Sequence, residues 1–166
     1  TSVWSEPLDG VRQARREVPE VAFVHIVDKD GSIGIQHCHA RAAVDPTSLD
    51  PRMILSARAL LVDSTDPPAA RRCIEWMRAA RRPTLIDADQ YSPEAHAVAR
   101  ACDYVIASHR YATACTGRTE PAAAASALAS DVAGVVVVTA GPEGAYAVAG
   151  GEVWHQPAFA VAVKDT

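Results

Sequence analysis

The sequence comprises 166 residues with a net charge of −4, of which 49% are hydrophobic and 22% charged. This balance is typical of one globular domain, and the acidic net charge gives no indication of a nucleic-acid-binding surface or a basic membrane-binding face. No apolar run approaches the roughly 20 residues that a membrane helix needs, and the first residues show no signal-peptide pattern. The four cysteines are widely spaced without a Cys-x-x-Cys pair. We therefore expect free, mostly buried thiols and a cytoplasmic protein.

Two short runs rich in β-branched residues lie near the start, at Val21–Val27 and Ile33–His39. They flank Asp28-Lys29-Asp30-Gly31, and Asp-Gly between apolar runs is a strong signal of a β-hairpin. Alternation along the second strand places His37 and His39 on one face, as a pair of metal ligands would require. Because the sequence places no third ligand beside them, we favour a solvent-facing strand over a metal site.

From Arg52 onwards, short apolar strands alternate with segments of helical composition. The strands are predicted at Ala59–Val62, Thr84–Ile86, Tyr104–Ala107 and 135–139, and the helices at Arg52–Leu55, Ala69–Ala80, Pro93–Ala101, Arg110–Cys115 and Pro121–Ser130. This alternation is typical of βαβ units and predicts a largely parallel sheet. Two further strands, Ala145–Val148 and Val153–Gln156, flank a Gly-Gly turn and predict an antiparallel hairpin at the edge of that sheet.

Four consecutive valines, Val135–Val138, are followed by Thr139 and the turn Ala140-Gly141-Pro142-Glu143-Gly144. Because these residues are apolar and β-branched, they predict a strand that is buried on both faces. Gly141 and Gly144 lack a Cβ atom, so the backbone there can take a positive φ or approach a bound group closely. Such a turn can present N–H groups to an anion, although an ordinary hairpin turn explains the same residues.

Polar side chains stand at the predicted carboxyl ends of the strands, where open parallel sheets bind their ligands. They are Asp63 and Ser64, Asp87 and Asp89, Ser108, Thr139 and Asp165-Thr166. For Asp87 we favour a turn or helix N-cap role. For Ser108, capping the next helix explains the residue at least as well as contact with a ligand. Thr139 with its two glycines is the best candidate for a binding site.

The order of these segments resembles the ribokinase-like (PfkB) carbohydrate kinases from about Val21 to the end of the sequence. The run from Val135 to Tyr146 looks like the family's nucleotide-site strand and turn. Residues 151–166 look like the approach to its Asp-Thr-x-Gly-Ala-Gly-Asp signature. Pro83–Asp89 is similar to the family's strand that ends in Asp-Pro-Asn, and Val21–His39 resembles the β-hairpin of its lid.

The resemblance implies an α/β fold, three-layer α/β/α, with a mostly parallel central sheet, antiparallel edge strands and a small β-hairpin lid. Residues 1–40 would form the lid-like hairpin region, through which the family often forms a homodimer contact. Residues 41–166 would form the α/β nucleotide-binding core, lacking the family's N-terminal βαβ unit and C-terminal helices. We therefore expect an incomplete chain.

For function, the resemblance implies phosphorylation of a small sugar by ATP with Mg²⁺ and a monovalent cation. Thr139, Gly141 and Gly144 would line the ATP site, and Ser108 would approach the phosphates. Asp165 would ligate the monovalent cation beside the anion hole.

Two departures from the family bear on catalysis. Its catalytic base is the final Asp of Gly-Ala-Gly-Asp, which would come just after Thr166, so no catalytic residue is expected within the sequence. The family's Asn-x-x-Glu, tied to magnesium and phosphate placement, corresponds here to Ser108-His109-Arg110-Tyr111. The acid is absent, as it is in some branches that keep Ser there.

The leading interpretation is an ATP-dependent sugar kinase whose partner is a small-molecule sugar, with no nucleic acid or membrane involved. The missing acid and terminal motif motivate an alternative, a non-catalytic nucleotide- or metabolite-binding protein of the same fold. A third interpretation is a flavodoxin-like domain in which the glycine turn is only structural.

Overall fold

A computed structural model describes residues 44–161 of the chain, which fall within one compact unit. The predicted lid hairpin, the pair His37 and His39, and Asp165 lie outside the described residues. Within residues 44–161 no helix combines the length and apolar character needed to cross a bilayer.

A six-stranded sheet forms the centre of this unit, with its strands in sequence order from β1 to β6. The strands are β1 Leu60–Asp63, β2 Thr84–Ala88, β3 Tyr104–Ser108, β4 Val135–Thr139, β5 Ala145–Ala149 and β6 Glu152–Gln156. The first four strands pair in parallel, and β5 and β6 add an antiparallel hairpin at one edge. The prediction of a mostly parallel sheet with antiparallel edge strands is confirmed.

The helices follow the predicted segments to within a few residues. They are α1 Pro51–Ile54, α2 Pro67–Ala79, α3 Pro93–Ala99, α4 His109–Thr116 and α5 Pro121–Ala129. Asp50 caps α1 by accepting a hydrogen bond from the Arg52 N–H at 2.9 Å, as predicted. Gly117 ends α4 in the left-handed conformation at φ +70°, which glycine adopts without steric cost. Local capping chemistry therefore defines most of the helix boundaries.

The helices pack against one face of the sheet, which we call the helix-covered face. Ile86, Val105 and Val136 lie on it in adjacent register positions and are fully buried in the core. The arrangement follows from topology. Strands in sequence order joined by right-handed crossovers place every crossover helix on the same side.

Burial of the valine strand differs from the prediction. Val136 and Val138 are buried on the helix-covered face, whereas Val135 and Val137 are only partly buried on the other face. The prediction of burial on both faces is therefore wrong for residues 44–161. The physical reason is that their helices form a single layer, so alternate residues of each strand have no helix to pack against.

Three hydrogen bonds join Thr84 at the start of β2 to Asp103, the residue before β3. Asp103 Oδ2 accepts hydrogen bonds from both the N–H and the hydroxyl of Thr84, each at 2.9 Å. In return the Asp103 N–H donates to Thr84 Oγ1 at 3.1 Å. Because Thr84 is fully buried, these bonds replace the water that its polar atoms lose on folding.

We expect Asp103→Ala to lower the free energy of unfolding by roughly 2–3 kcal/mol, because it leaves two buried donors of Thr84 without an acceptor. Asp103→Asn is the matched control, since its amide oxygen can still accept both bonds. Urea unfolding of the full-length variants measures the difference. Equal stability of Asp103→Ala and Asp103→Asn would contradict a stabilising role for the hydrogen bonds that Asp103 accepts.

A second polar network joins α3, α4 and the residue after α5. His96 Nε2 contacts Asp131 Oδ2 at 2.5 Å, and His96 Nδ1 contacts the Tyr111 hydroxyl at 3.0 Å. The hydrogen bond with His96 lowers the pKa of Asp131, and Arg100 contributes in the same direction. Cys115 lies 3.6 Å from His96 Nδ1, but burial raises the pKa of its thiol. A raised pKa disfavours the thiolate, which is the nucleophilic form of cysteine.

The Asp131 interaction should make stability depend on pH. Because folding lowers the pKa of Asp131, its contribution is present above the unfolded pKa near 3.8 and is lost as pH falls through the folded value. Asp131→Asn removes this dependence. The difference in unfolding free energy between wild type and Asp131→Asn should therefore shrink between about pH 6 and pH 3. A constant difference across that range in urea unfolding would refute the assignment.

Candidate functional site

The carboxyl ends of the parallel strands meet at one edge of the sheet, and those of the predicted polar residues that fall within 44–161 lie there. Ser108 at the end of β3 and Thr139 at the end of β4 are direct register partners. Asp63 and Asp87 are partners in the same way on β1 and β2. The fold therefore brings Ser108, Thr139 and the glycine turn together, with Asp87 two strands away from Thr139.

Asp87 is exposed and lies inside β2, and the N-cap of the following helix is Ser92. The predicted turn or N-cap role of Asp87 is therefore wrong, because the strand continues through Ala88 before the chain leaves the sheet. The exposed carboxylate of Asp87, one residue before the end of β2, remains available to ligands near this edge.

Ser108 is the N-cap of α4, as one of its two predicted roles requires. Its Oγ accepts a hydrogen bond from the Tyr111 N–H at 3.0 Å and donates to the backbone oxygen of Asp89, also at 3.0 Å. A serine hydroxyl has one proton. Direct donation from Ser108 to a phosphate would therefore require the bond to Asp89 to break.

The loop after β2 holds the start of α4 at a second point. Arg110 Nη2 donates to Asp89 Oδ2 at 2.8 Å, with both side chains more than half exposed. Together with the Ser108 bond, this pair fixes the first turn of α4 to the neighbouring loop. Sequence reasoning missed the contact because Asp89 and Arg110 are far apart in sequence and no local pattern pairs them.

Thr139 ends β4 with an exposed side chain. Its hydroxyl lies 3.4 Å from the backbone oxygen of Ala107 on the neighbouring strand, a long hydrogen bond. A weakly held hydroxyl at the ligand-binding edge of a parallel sheet can reorient toward a bound group.

Gly141 opens a short 3₁₀ turn, Gly141–Glu143, in the left-handed region at φ +53°. A Cβ atom built on it would meet nothing within 4 Å. The space that a side chain would occupy is therefore open, and a ligand can approach the backbone at this position. This geometry fits the predicted contact with ATP.

Gly144 lacks a side chain for a different reason. Its backbone has φ +89° and ψ −137°, and a Cβ atom would lie 2.0 Å from the Gln156 backbone oxygen and 2.8 Å from Ala158 N. The chain leaving β6 packs directly against Gly144. The space in front of its Cα is filled by the protein itself, so the structure offers no open approach to ATP at this residue. Its place in the ATP site stays a prediction.

The resemblance places Tyr111 at the position of the acid in the family motif. Its side chain is fully buried and points to His96 on α3, and burial raises the pKa of its phenol. Tyr91 packs edge-on against the same ring at 5.9 Å between centroids. The residue is thus part of the packing between helices and cannot take the place of an exposed carboxylate.

The residues that the structure describes do not provide a complete set of metal ligands by themselves. Within residues 44–161 no three His, Cys, Asp or Glu side chains are grouped as metal ligands would be. Mg²⁺ commonly binds through one or two carboxylates, water and substrate phosphates, so such a set is not required. The monovalent-cation role of Asp165 stays a prediction, because this residue lies outside the described range.

His155 on β6 contacts the turn after β4, which sequence analysis did not predict. Its Nε2 lies 2.8 Å from the Glu143 backbone oxygen, and its ring stacks on Tyr146 at 4.3 Å between centroids. The pairing of β5 with β6 makes Tyr146 and His155 cross-strand partners. Only knowledge of that register could have placed His155 beside the turn.

Comparison with solved structures shows what the fold resembles. The PfkB protein from Polaromonas sp. JS666 is 27% identical with a TM-score of 0.63, over 71% of this chain and 46% of that one. Ribokinase from Thermotoga maritima is 22% identical with a TM-score of 0.63, over 84% and 48% of the two chains.

A third structure, from E. coli, contains ATP and Mg²⁺ and is 14% identical with a TM-score of 0.58, over 70% and 43% of the two chains. The two structures below 25% identity show likeness of fold alone. The chain spans less than half the length of each of these three structures.

A comparison with curated proteins found no match. The family comparison is decisive, because the sequence model for "pfkB family carbohydrate kinase" matches residues 8–166, nearly the whole chain. The chain belongs to the PfkB family of carbohydrate kinases.

Proposed function

We propose that the full-length protein transfers the γ-phosphoryl group of ATP to a hydroxyl of a small sugar or sugar-like substrate. Membership of the PfkB family supports this reaction class. The observation that carries the proposal is the turn after β4. It leaves open space at Gly141, beside the register pair Ser108 and Thr139, at the ligand-binding edge of the sheet.

In this proposal the described residues bind and position the nucleotide. The Gly141 backbone lets the nucleotide approach closely, and the Thr139 hydroxyl turns from its long contact with Ala107 toward it. Ser108 acts mainly by fixing the start of α4, because its single proton is donated to Asp89. Positioning and charge stabilisation provide most of the rate enhancement in phosphoryl transfer. Residues that bind and orient the nucleotide therefore contribute to catalysis without reacting themselves.

Magnesium, when bound to ATP, neutralises the charge of the phosphates. The ATP and Mg²⁺ present in the E. coli structure support the use of both in this fold. We further propose that the catalytic base follows Thr166 and that Asp165 ligates a monovalent cation.

The test is an ADP-release assay of the full-length protein with Mg²⁺, ATP and a broad sugar panel. Sugar-dependent ADP release is the expected result, and Gly141→Val should weaken ATP binding by filling the open space. A protein that consumes no ATP with any sugar would overturn the kinase proposal. Unchanged ATP affinity in Gly141→Val would favour a turn that is only structural.

The buried Tyr111 favours one second candidate, a non-catalytic nucleotide- or metabolite-binding protein. The resemblance places Tyr111 at the position of the family's acid, and the Tyr111 hydroxyl contacts His96 Nδ1 at 3.0 Å. Calorimetry separates the two candidates. Tight Mg-ATP binding without ADP release on any sugar supports the binding protein, whereas turnover supports the kinase.

We also propose a cytoplasmic location and a homodimer formed through the lid hairpin. Cys73, Cys102 and Cys115 are free thiols, which is consistent with a reducing compartment. Sedimentation of the full-length protein tests the dimer, and a monomer at micromolar concentration would refute it.

A further inference from the structure

The turn Gly141–Gly144 is closed by its own backbone. Ala140 N donates to Gly144 O at 2.8 Å, Glu143 N to Ala140 O at 3.1 Å, and Gly144 N to Gly141 O at 2.9 Å. These bonds shape the turn, and the pairing of Thr139 with Ala145 holds its base in the sheet. Contacts from the outer strand β6 and the residues that follow it reach the turn itself.

The first attachment is the imidazole of His155. A backbone carbonyl can only accept, so the 2.8 Å contact with Glu143 O requires a hydrogen on Nε2. The ring is held in place by its stack on Tyr146, whose plane differs by 11°. Strand pairing thus presents a fixed donor to the peptide that joins Glu143 to Gly144.

The second attachment is the close approach of the backbone at Gly144. The Gln156 oxygen occupies the place where a Cβ atom would stand. One side of the turn is therefore held at two successive residues. At Gly141, by contrast, a Cβ atom would meet nothing within 4 Å.

We propose that His155 is a positioning residue for nucleotide binding, an inference that rests on the proposed function. By holding the Glu143 carbonyl, it keeps the turn in the conformation that leaves Gly141 open. His155 acts through the turn and does not itself contact the nucleotide. Its loss should weaken ATP binding and leave the step that follows binding unchanged.

Two variants of the full-length protein separate the donor from the ring. His155→Phe keeps the stack on Tyr146 and removes the N–H, whereas His155→Gln keeps an N–H donor and removes the ring. For His155→Phe we expect the Kd and KM for Mg-ATP to rise roughly fivefold to tenfold, with kcat and the KM for sugar unchanged. His155→Gln should remain within about twofold of wild type.

The matched control is His109→Phe. His109 Nε2 contacts the Thr119 backbone oxygen at 2.9 Å, so this variant removes the same kind of bond from a different loop. Amide hydrogen exchange provides a readout that does not depend on activity. Exchange at residues 143–145 should accelerate in His155→Phe and stay unchanged in His109→Phe.

Two results would overturn the positioning role. One is a His155→Phe protein with wild-type affinity for Mg-ATP. The other is equal weakening in His155→Phe and His155→Gln. If wild type itself does not bind Mg-ATP, the proposed function fails, and the exchange rates at residues 143–145 then show separately whether His155 holds the turn.

Discussion

Replacing Gly144 by alanine is expected to lower the free energy of unfolding by at least about 3 kcal/mol. The new methyl group would lie 2.0 Å from the Gln156 backbone oxygen, and φ +89° is a conformation that L residues rarely adopt. The Gln156 oxygen cannot yield easily, because it is a backbone atom of β6 and Gln156 pairs with Ala145 of β5. Urea unfolding monitored by circular dichroism measures the loss.

Gly141→Ala is the matched control for Gly144→Ala. Its methyl group meets nothing within 4 Å, so only the left-handed backbone at φ +53° opposes it, at a cost of about 1 kcal/mol. This variant should fold and should bind Mg-ATP more weakly, because the methyl group extends into the open space. Equal loss of stability in the two variants would contradict the distinction between Gly144, whose Cβ position is filled, and Gly141, whose Cβ position is open.

The two glycines show what the sequence could and could not predict. The pattern of four valines, a threonine and a glycine turn was sufficient to predict β4, the turn and its location at the ligand-binding edge. It could not show that the glycines differ. That difference depends on where the chain runs after β6, which is set by tertiary packing.

Most of the fold was predictable for local reasons. Capping residues such as Asp50 and Ser108, and glycines such as Gly117, define helix ends through bonds or conformations within a few residues. Alternation of strands and helices then predicted the parallel sheet. These signals act over short stretches of chain, which is why the sequence alone reveals them.

Burial and side-chain pairing were less predictable because they depend on distant segments. The valine strand has one partly exposed face because the crossover helices of residues 44–161 share one side of the sheet. The contact between His155 and Glu143 depends on the register of a hairpin. The contact between His96 and Tyr111 depends on where α3 and α4 lie relative to each other on the sheet.

Replacing Tyr111 by glutamate, the residue of the family motif, is expected to lower the free energy of unfolding by roughly 3 kcal/mol or more. The tyrosine ring is fully buried, so the shorter side chain leaves unfilled space. The new carboxylate would be buried beside His96, whose other nitrogen already contacts Asp131. Urea unfolding of the full-length protein provides the measurement.

Tyr111→Phe is the control for this substitution, since it keeps the ring and loses only the bond to His96, at a cost of about 1 kcal/mol. A glutamate variant as stable as the phenylalanine variant would show that this site accepts an acid.

In the kinase assay Tyr111→Phe should keep wild-type turnover, because the phenol faces α3 and not the edge of the sheet. Lost turnover in a well-folded Tyr111→Phe protein would instead show that the phenol takes part in catalysis.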